Sequence, residues 1–401
     1  MATREAAAPA GAAVVPAETL IARARELAPV LRERAGEAER NRSVPTEIVG
    51  ELKSRGFFRI LQPRAFGGFE HPFRVAYEVE REIGAGCAST AWVTGLALYT
   101  HWMLALFPTQ AQDDIWGRDP GTIAFGTLPP SRDVRRVAGG YRVSGVWPFS
   151  SGCDHADWML LGIMVPAESG SGPGVPTFGL FPRADFGIED NWFTAGLAAT
   201  GSKNVTVTDA FVPLHRTLAI ADAVTGNGPG AASYGPMYRT PLVSIIPLAL
   251  LTPAIGALQG AIELFVAATL GRKTRGAVVA GGLDVTAFSS VQSRVGEAKA
   301  ALVAANALAD RVLDKVERYE PFSLEARIEA RLCHAYATRL TQQGIDALYG
   351  AAGASGIFLD QPIQRAWRDI HAIAKHISLN WDAVSAMAGQ HAFGLPPQGQ
   401  F

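Results

Sequence analysis

Cysteine is scarce in this chain of 401 residues, where Cys87, Cys153 and Cys333 stand far apart. Such spacing gives neither a disulfide framework nor paired thiolates for zinc, and a reducing cytoplasm suits it. Charge of one sign is missing too, because 36 basic and 37 acidic residues leave a formal net charge of -1 with no long run of either. That balance excludes the electrostatic footprint of a nucleic-acid or anionic-membrane binder and leaves a small molecule or another protein as partner. No stretch approaches the roughly 20 uninterrupted apolar residues of a membrane helix, so a soluble protein is expected. A GxGxxG turn is also absent, which removes the usual dinucleotide site of a doubly wound sheet. His155 with Asp154 and Asp157, and His334 with Cys333, lack a third ligand at suitable spacing, and no metal is expected.

Apolar residues are plentiful, 48% of the chain against 18% charged, enough for a large buried core in two or three domains. Residues 1–16, rich in Ala and Pro, read as a loose tail. Over residues 17–120, Leu20, Ile21, Ala24, Leu27, Ala28 and Leu31, then Ile48, Leu52 and Phe57, recur at helical spacing and predict a helical domain. Residues 88–107 are very apolar yet carry Thr90, Thr94, Tyr99, Thr100 and His101, as in a buried helix that shows one polar patch to a cavity. Across 121–224 the texture changes to short β-branched or aromatic runs, with strands predicted at 141–147, 158–165, 177–181 and 204–208. Residues 225–233 look like a flexible connector. Helical periodicity then fills 225–401, with long helices predicted at 243–270, 284–319, 323–348 and 362–388. The fold class is mostly α with an inserted β-domain.

Four stretches carry a family likeness. Glu51, Leu52, Lys53, Gly56, Phe57, Pro63, Gly67 and Gly68 form the first. Trp147-Pro148-Phe149-Ser150-Ser151-Gly152 is the second and the most specific. Ala199-Thr200-Gly201-Ser202, followed by Val205, Val207, Asp209, Phe211, Val212 and Pro213, is the third. The fourth runs over 350–356, then Pro362, Gln364-Arg365, Arg368-Asp369 and His371. In this order and spacing they resemble the acyl-CoA dehydrogenase superfamily, and the Trp-x-Phe-Ser-Ser-Gly stretch resembles its two-component flavin-dependent aromatic hydroxylase branch. The resemblance implies an N-terminal helical domain, a central β-barrel-like domain and a C-terminal four-helix bundle. It also implies a homotetramer that uses FMNH2 or FADH2 from a separate NAD(P)H-dependent reductase, captures O2 as a C4a-hydroperoxide and hydroxylates a phenolic or polycyclic aromatic.

That chemistry needs a dry, hydrogen-bonded site, because the oxygen adduct must not lose peroxide to water. By resemblance Ser151 contacts flavin N5, with Ser150 beside it, while Trp147 packs on the ring system and Phe149 belongs to the same cofactor-binding stretch. The plain reading of Trp147 and Phe149 is ordinary β-domain core, with the serines in a turn. His376 matches the hydroxylases' active-site histidine, able to deprotonate a phenol or stabilise the peroxide. His371 is its rival, set on a different face of the same predicted helix. His101 resembles a substrate-pocket histidine, with Thr127 at a matching hydroxyl position, although a histidine at a helix C-terminus also serves the helix dipole. Arg239 is a candidate for the anionic N1 region of reduced flavin, and Arg272, with Lys273 and Arg275, for a flavin phosphate. A solvated surface is the alternative for all of them. Gly353 and Arg368 belong to the fourth stretch, which in the family approaches the flavin.

The runner-up is an acyl-CoA dehydrogenase whose catalytic base has moved. Dehydrogenases remove an α-proton with a carboxylate soon after the Arg-Asp pair. Here Lys375-His376-Ile377-Ser378 fills that region, with no carboxylate between Asp369 and Asp382.

Overall fold

Helical spacing in the first hundred residues is realised as α1 (Ala17–Asn41), whose stripe of Leu20, Ala24, Leu27 and Leu31 is buried. The computed structural model describes residues 14–131, 133–167, 173–274 and 282–400. After α1 come α2 (Thr46–Ser54), α3 (Phe73–Gly86), α4 (Ala88–Leu104) and α5 (Thr109–Trp116). Helix α4 is buried along nearly its whole length, its polar residues included.

Among the described residues eight strands follow: β1 (Ala124–Ser131), β2 (Asp133–Val137), β3 (Gly140–Ser150), β4 (Trp158–Val165), β5 (Val175–Pro182), β6 (Gly187–Glu189), β7 (Lys203–Pro213) and β8 (Thr217–Ala219). They form two four-stranded sheets, ordered β1-β4-β5-β8 and β2-β3-β7-β6. Only the β1–β4 pair is parallel among the paired strands; the others are antiparallel. The sheets meet through alternating apolar side chains, as where the Trp147 ring tilts against Phe181 at 6.1 Å.

The C-terminal part holds α6 (Ile220–Thr225), α7 (Leu242–Thr269), α8 (Ser289–Val316), α9 (Leu324–Ala351), α10 (Pro362–Ile373) and α11 (Trp381–Ala392). Helix α7 packs against α3, α4, α8, α9 and α10. Where α3 and α7 touch, a Cβ on Gly84 would lie 3.1 Å from the Gly256 Cα, so only glycines allow the approach.

Three expectations need correction. Helix α7 is long and apolar enough to cross a membrane by length and composition, against the reading that no segment approaches that length. In its most apolar window 83% of the residues are buried inside the fold, so this is the central core helix. The connector at 225–233 is packed, not loose: Ala231 is buried and the Gly230 N–H donates to the Leu106 carbonyl at 3.0 Å. The single helix expected at 362–388 is two. His376 has extended backbone angles (φ -65, ψ 134) and caps a short 3-10 turn (Ile377–Leu379), and the Asn380 side chain then caps α11 by accepting from the Ala383 N–H at 3.0 Å.

Candidate active site

The site is assembled at the end of β3. Pairing with β7 slips between Trp147 and Ser150, and Phe149 takes φ +59, a left-handed conformation rare for a bulky residue. The kink throws the Phe149 ring outward, 71% exposed and edge-on to Trp192 at 5.9 Å, and turns Ser150 and Ser151 inward. Gly152 completes the turn at φ +75, and a Cβ there would sit 2.4 Å from the Phe125 ring.

Ser150 is fully buried; its hydroxyl donates to the Trp147 carbonyl at 2.9 Å and meets the Thr127 hydroxyl at 2.8 Å. Ser151 faces the helical side. Its Oγ accepts from the Trp92 indole N–H of α4 at 3.1 Å and lies 2.6 Å from the Ser202 hydroxyl. The other edge of this arrangement is His376, whose ring meets Trp92 edge to face at 5.8 Å. Trp92 thus joins the β3 serines to the link between α10 and α11.

His376 is half-buried, and Nδ1 accepts from the Ser378 N–H at 3.1 Å. A neutral ring with Nδ1 so used carries its proton on Nε2. Burial, and secondarily the positive charge of Arg331, push its pKa down to about 4, so the ring is neutral at physiological pH. Nε2–H makes no hydrogen bond among the described residues and remains a free donor.

The Arg-Asp pair locks the loop after β6. Asp369, buried, accepts from the Leu197 N–H at 2.7 Å, and Leu197 itself is left-handed at φ +54. Burial raises the Asp369 carboxyl to about 6 against the opposing pull of that N–H and of Arg368. Arg368 donates to Gln364 Oε1 at 2.7 Å and to the Ala195 carbonyl, and pairs with Glu39. A Cβ on Gly196 would stand 2.3 Å from the Arg368 carbonyl oxygen, so loop and helix are in intimate contact.

Several sequence candidates fall elsewhere. His101 is fully buried: Nδ1 donates to the Phe58 carbonyl at 2.7 Å and Nε2 accepts from the Ala124 N–H at 3.0 Å. With both nitrogens bonded to backbone and its pKa pushed by burial to about 4, it ties α4 to the start of β1 and has no atom left for a substrate. Trp147 is enclosed between the sheets and donates to the Gly162 carbonyl at 2.8 Å, so it forms core and offers no open face for stacking. Arg239 is exposed beside Met237, whose carbonyl takes the Trp102 indole N–H. Trp102 lies ten residues along α4 from Trp92, roughly 15 Å along the helix axis, and Arg239 follows Met237 by two residues at that end of α4. His371 is engaged by Asp346 at 2.9 Å and Gln342 at 3.2 Å, and does not share a helix with His376. Arg272 donates to the Ala352 carbonyl at 3.2 Å, which brings it next to Gly353, exposed at φ +73. Arg275 lies outside the described residues. Among buried carboxyls, Glu80 packs on Gly95 of α4 with no hydrogen-bond partner among the described residues; burial raises it far above the carboxylate range, which leaves no accessible base there.

Trp92 escapes a reading of the sequence because it sits in a run where every residue is apolar or small. Thr200 and Ser202 were visible only as a strand-entry motif, although two hydroxyls at i and i+2 beside a glycine are a signal that they face one point.

The chain matches the family model for the acyl-CoA dehydrogenase N-terminal domain over residues 17–119 and that for the C-terminal domain over 248–381. It is 38% identical to the oxygenase component of an FADH2-dependent resorcinol hydroxylase from Rhizobium sp., across 98% of both chains. Its fold is similar to the crystal structure of 3-HSA hydroxylase from Rhodococcus sp. RHA1, with a TM-score of 0.89 at 34% identity, covering 95% of this chain and 98% of the other. It is also similar to XiaF from Streptomyces sp., solved with FADH2 and glycerol, with a TM-score of 0.87 at 26% identity over 96% and 98% of the two chains. Helices flanking a β-domain, together with these matches, define the acyl-CoA dehydrogenase class of fold. Within that class the chain belongs to the oxygenase components of flavin-dependent monooxygenases.

Proposed function

We propose that this protein hydroxylates a phenolic or polycyclic aromatic molecule, using FMNH2 or FADH2 delivered by a separate NAD(P)H-dependent reductase and O2 as co-substrate. The observation that carries the reading is the placement of the Ser151 hydroxyl and the His376 Nε2–H on either side of Trp92. Both groups keep bonding capacity that the fold leaves unused, which fits a heteroaromatic ring with polar edges. When bound, reduced flavin supplies the two electrons that activate O2, so that one oxygen atom enters the substrate and the other leaves as water.

Ser151 holds the N5 edge, and His376 donates a hydrogen bond where negative charge gathers on oxygen. With Nδ1 occupied by a backbone N–H, His376 acts as a donor in preference to a base. Trp92 closes the space between them to water. Arg272, Gly353 and Arg368 lie along the C-terminal helices as the cofactor's more distant contacts. The exposed ridge of Ile357, Phe358 and Leu359 beside Gly353 suits burial by a second copy, in keeping with a homotetramer.

The test is a set of single turnovers in which protein loaded anaerobically with reduced flavin meets isotopically labelled O2 and a panel of phenols. Labelled hydroxylated product is expected. If flavin oxidises with hydrogen peroxide as the sole oxygen product throughout the panel, while acyl-CoA thioesters are dehydrogenated, the hydroxylase reading is wrong.

A further inference from the structure

We infer that Ser202, Thr200, Leu197 and Asp369 are positioning residues that fix the polarity of the Ser151 hydroxyl, so that it offers the flavin N5 edge a lone pair and not a proton. The inference rests on the flavin reading above and adds to it the selection of one redox state of the cofactor.

A hydroxyl has one proton to donate, a carbonyl oxygen only accepts, and an indole N–H only donates. Thr200 Oγ1 lies 2.8 Å from the Leu197 carbonyl and must spend its proton there. Ser202 Oγ is 2.6 Å from Thr200 Oγ1 and must supply the proton of that contact. Ser151 Oγ, 2.6 Å from Ser202 Oγ, must in turn donate to Ser202. Trp92 Nε1–H then donates to Ser151 at 3.1 Å. Every proton in the chain points from Trp92 toward Leu197, and among the described residues Ser151 is left with a single unused lone pair.

This direction cannot reverse, because a pure donor stands at one end and a pure acceptor at the other. The three hydroxyl residues are buried, so bulk water has little access to re-sort the rotamers. The acceptor end is also fixed in place. Leu197 is held left-handed by Asp369 on its N–H, and its carbonyl takes further hydrogen bonds from the Trp192 indole at 3.1 Å and the Thr200 N–H at 3.1 Å. The third and fourth sequence stretches thereby act through one turn on the serine of the second.

Reduced flavin carries a hydrogen on N5, whereas oxidised flavin presents a lone pair there. A Ser151 hydroxyl locked as acceptor attracts the first and repels the second, which favours capture of reduced flavin and release of the spent cofactor.

The experiment measures Kd for oxidised flavin by fluorescence and for reduced flavin by anaerobic titration, in the parent, Ser202→Ala, Thr200→Val and Thr200→Ser. In the parent, reduced flavin should bind more tightly. Ser202→Ala and Thr200→Val break the chain and let the Ser151 proton turn toward N5, so the oxidised-to-reduced Kd ratio should fall about tenfold, the worth of roughly one hydrogen bond. Thr200→Ser should keep the parent ratio. A merely structural role would weaken both redox forms together, and an unchanged ratio in Ser202→Ala and Thr200→Val overturns the inference. Equal binding of both forms by the parent overturns it as well while leaving the flavin reading intact. If the parent binds neither form, both fall.

Discussion

His376 and His101 have the same side chain, and the sequence gives both a claim on the chemistry; their surroundings separate them. His101 has both nitrogens bonded to backbone, whereas His376 keeps Nε2–H free next to Trp92. His376→Ala should lower the hydroxylation rate by about 100-fold or more, as loss of a positioned proton donor does, with less effect on flavin Kd. Ser151→Ala should raise hydrogen peroxide released per flavin oxidised. Parent-like coupling in both variants would displace the site. The neutral form of His376, whose Nδ1 accepts from the Ser378 N–H, exists above its folded pKa of about 4; protonation below that value breaks this contact, so the contribution of His376 should persist to pH 5.5 and change as pH drops through 4, not near 6.5. A pH–rate profile that loses an inflection near 6.5 in His376→Gln would contradict this. The Ser-Ser-Gly stretch stood out through its resemblance to the hydroxylase branch, since by residue type alone it reads equally well as core and a turn. Trp92 did not, since in a uniformly buried helix nothing in the composition tells the ring that faces the site from those that face the core.

At the scale of elements, the two best strand predictions, β3 and β4, came from short runs rich in apolar, β-branched and aromatic residues. β2, β6 and β8 were not read from the sequence, and β6 and β8 have only three residues each. The pairing of β1 with β4 in parallel is a non-local choice that periodicity does not encode. The break between α10 and α11 was hidden because its residues keep an apolar rhythm, and only the caps at His376 and Asn380 show that the chain turns. Turn geometry at the end of β3 should be equally decisive. Gly152→Ala places a Cβ against the Phe125 ring at positive φ, and a loss of about 2–4 kcal/mol is expected from strain and overpacking combined. Denaturant unfolding of the variant reads this directly, and a change below about 0.5 kcal/mol would mean that the turn is not constrained as described.

For the molecule as a whole, the buried histidines set the response to acid. His101 and His334 are neutral in the fold with pKa values pushed by burial to about 4 and about 3, and His376 follows them. Between pH 6.5 and those values the unfolded chain takes up protons that the folded chain refuses, so stability is complete above 6.5 and declines below it. By pH 5 each fully buried histidine costs about 2 kcal/mol. Asp369, raised to about 6, works in the opposite sense below pH 6 and offsets part of the loss. His101→Gln, which retains one donor and one acceptor, should show a smaller fall in Tm between pH 7.5 and 5 than the parent. An identical fall would remove His101 from this account.

Helices α3 and α4 have their main apolar partner in α7, which lies beyond the whole β-domain in sequence. A nascent chain leaving the ribosome therefore carries two uncovered greasy surfaces until synthesis has passed Thr269, the last residue of α7. The order of biosynthesis and the order of core completion are opposed in this protein, so the faces that α3 and α4 turn toward α7 gain that cover only after the β-domain has been made.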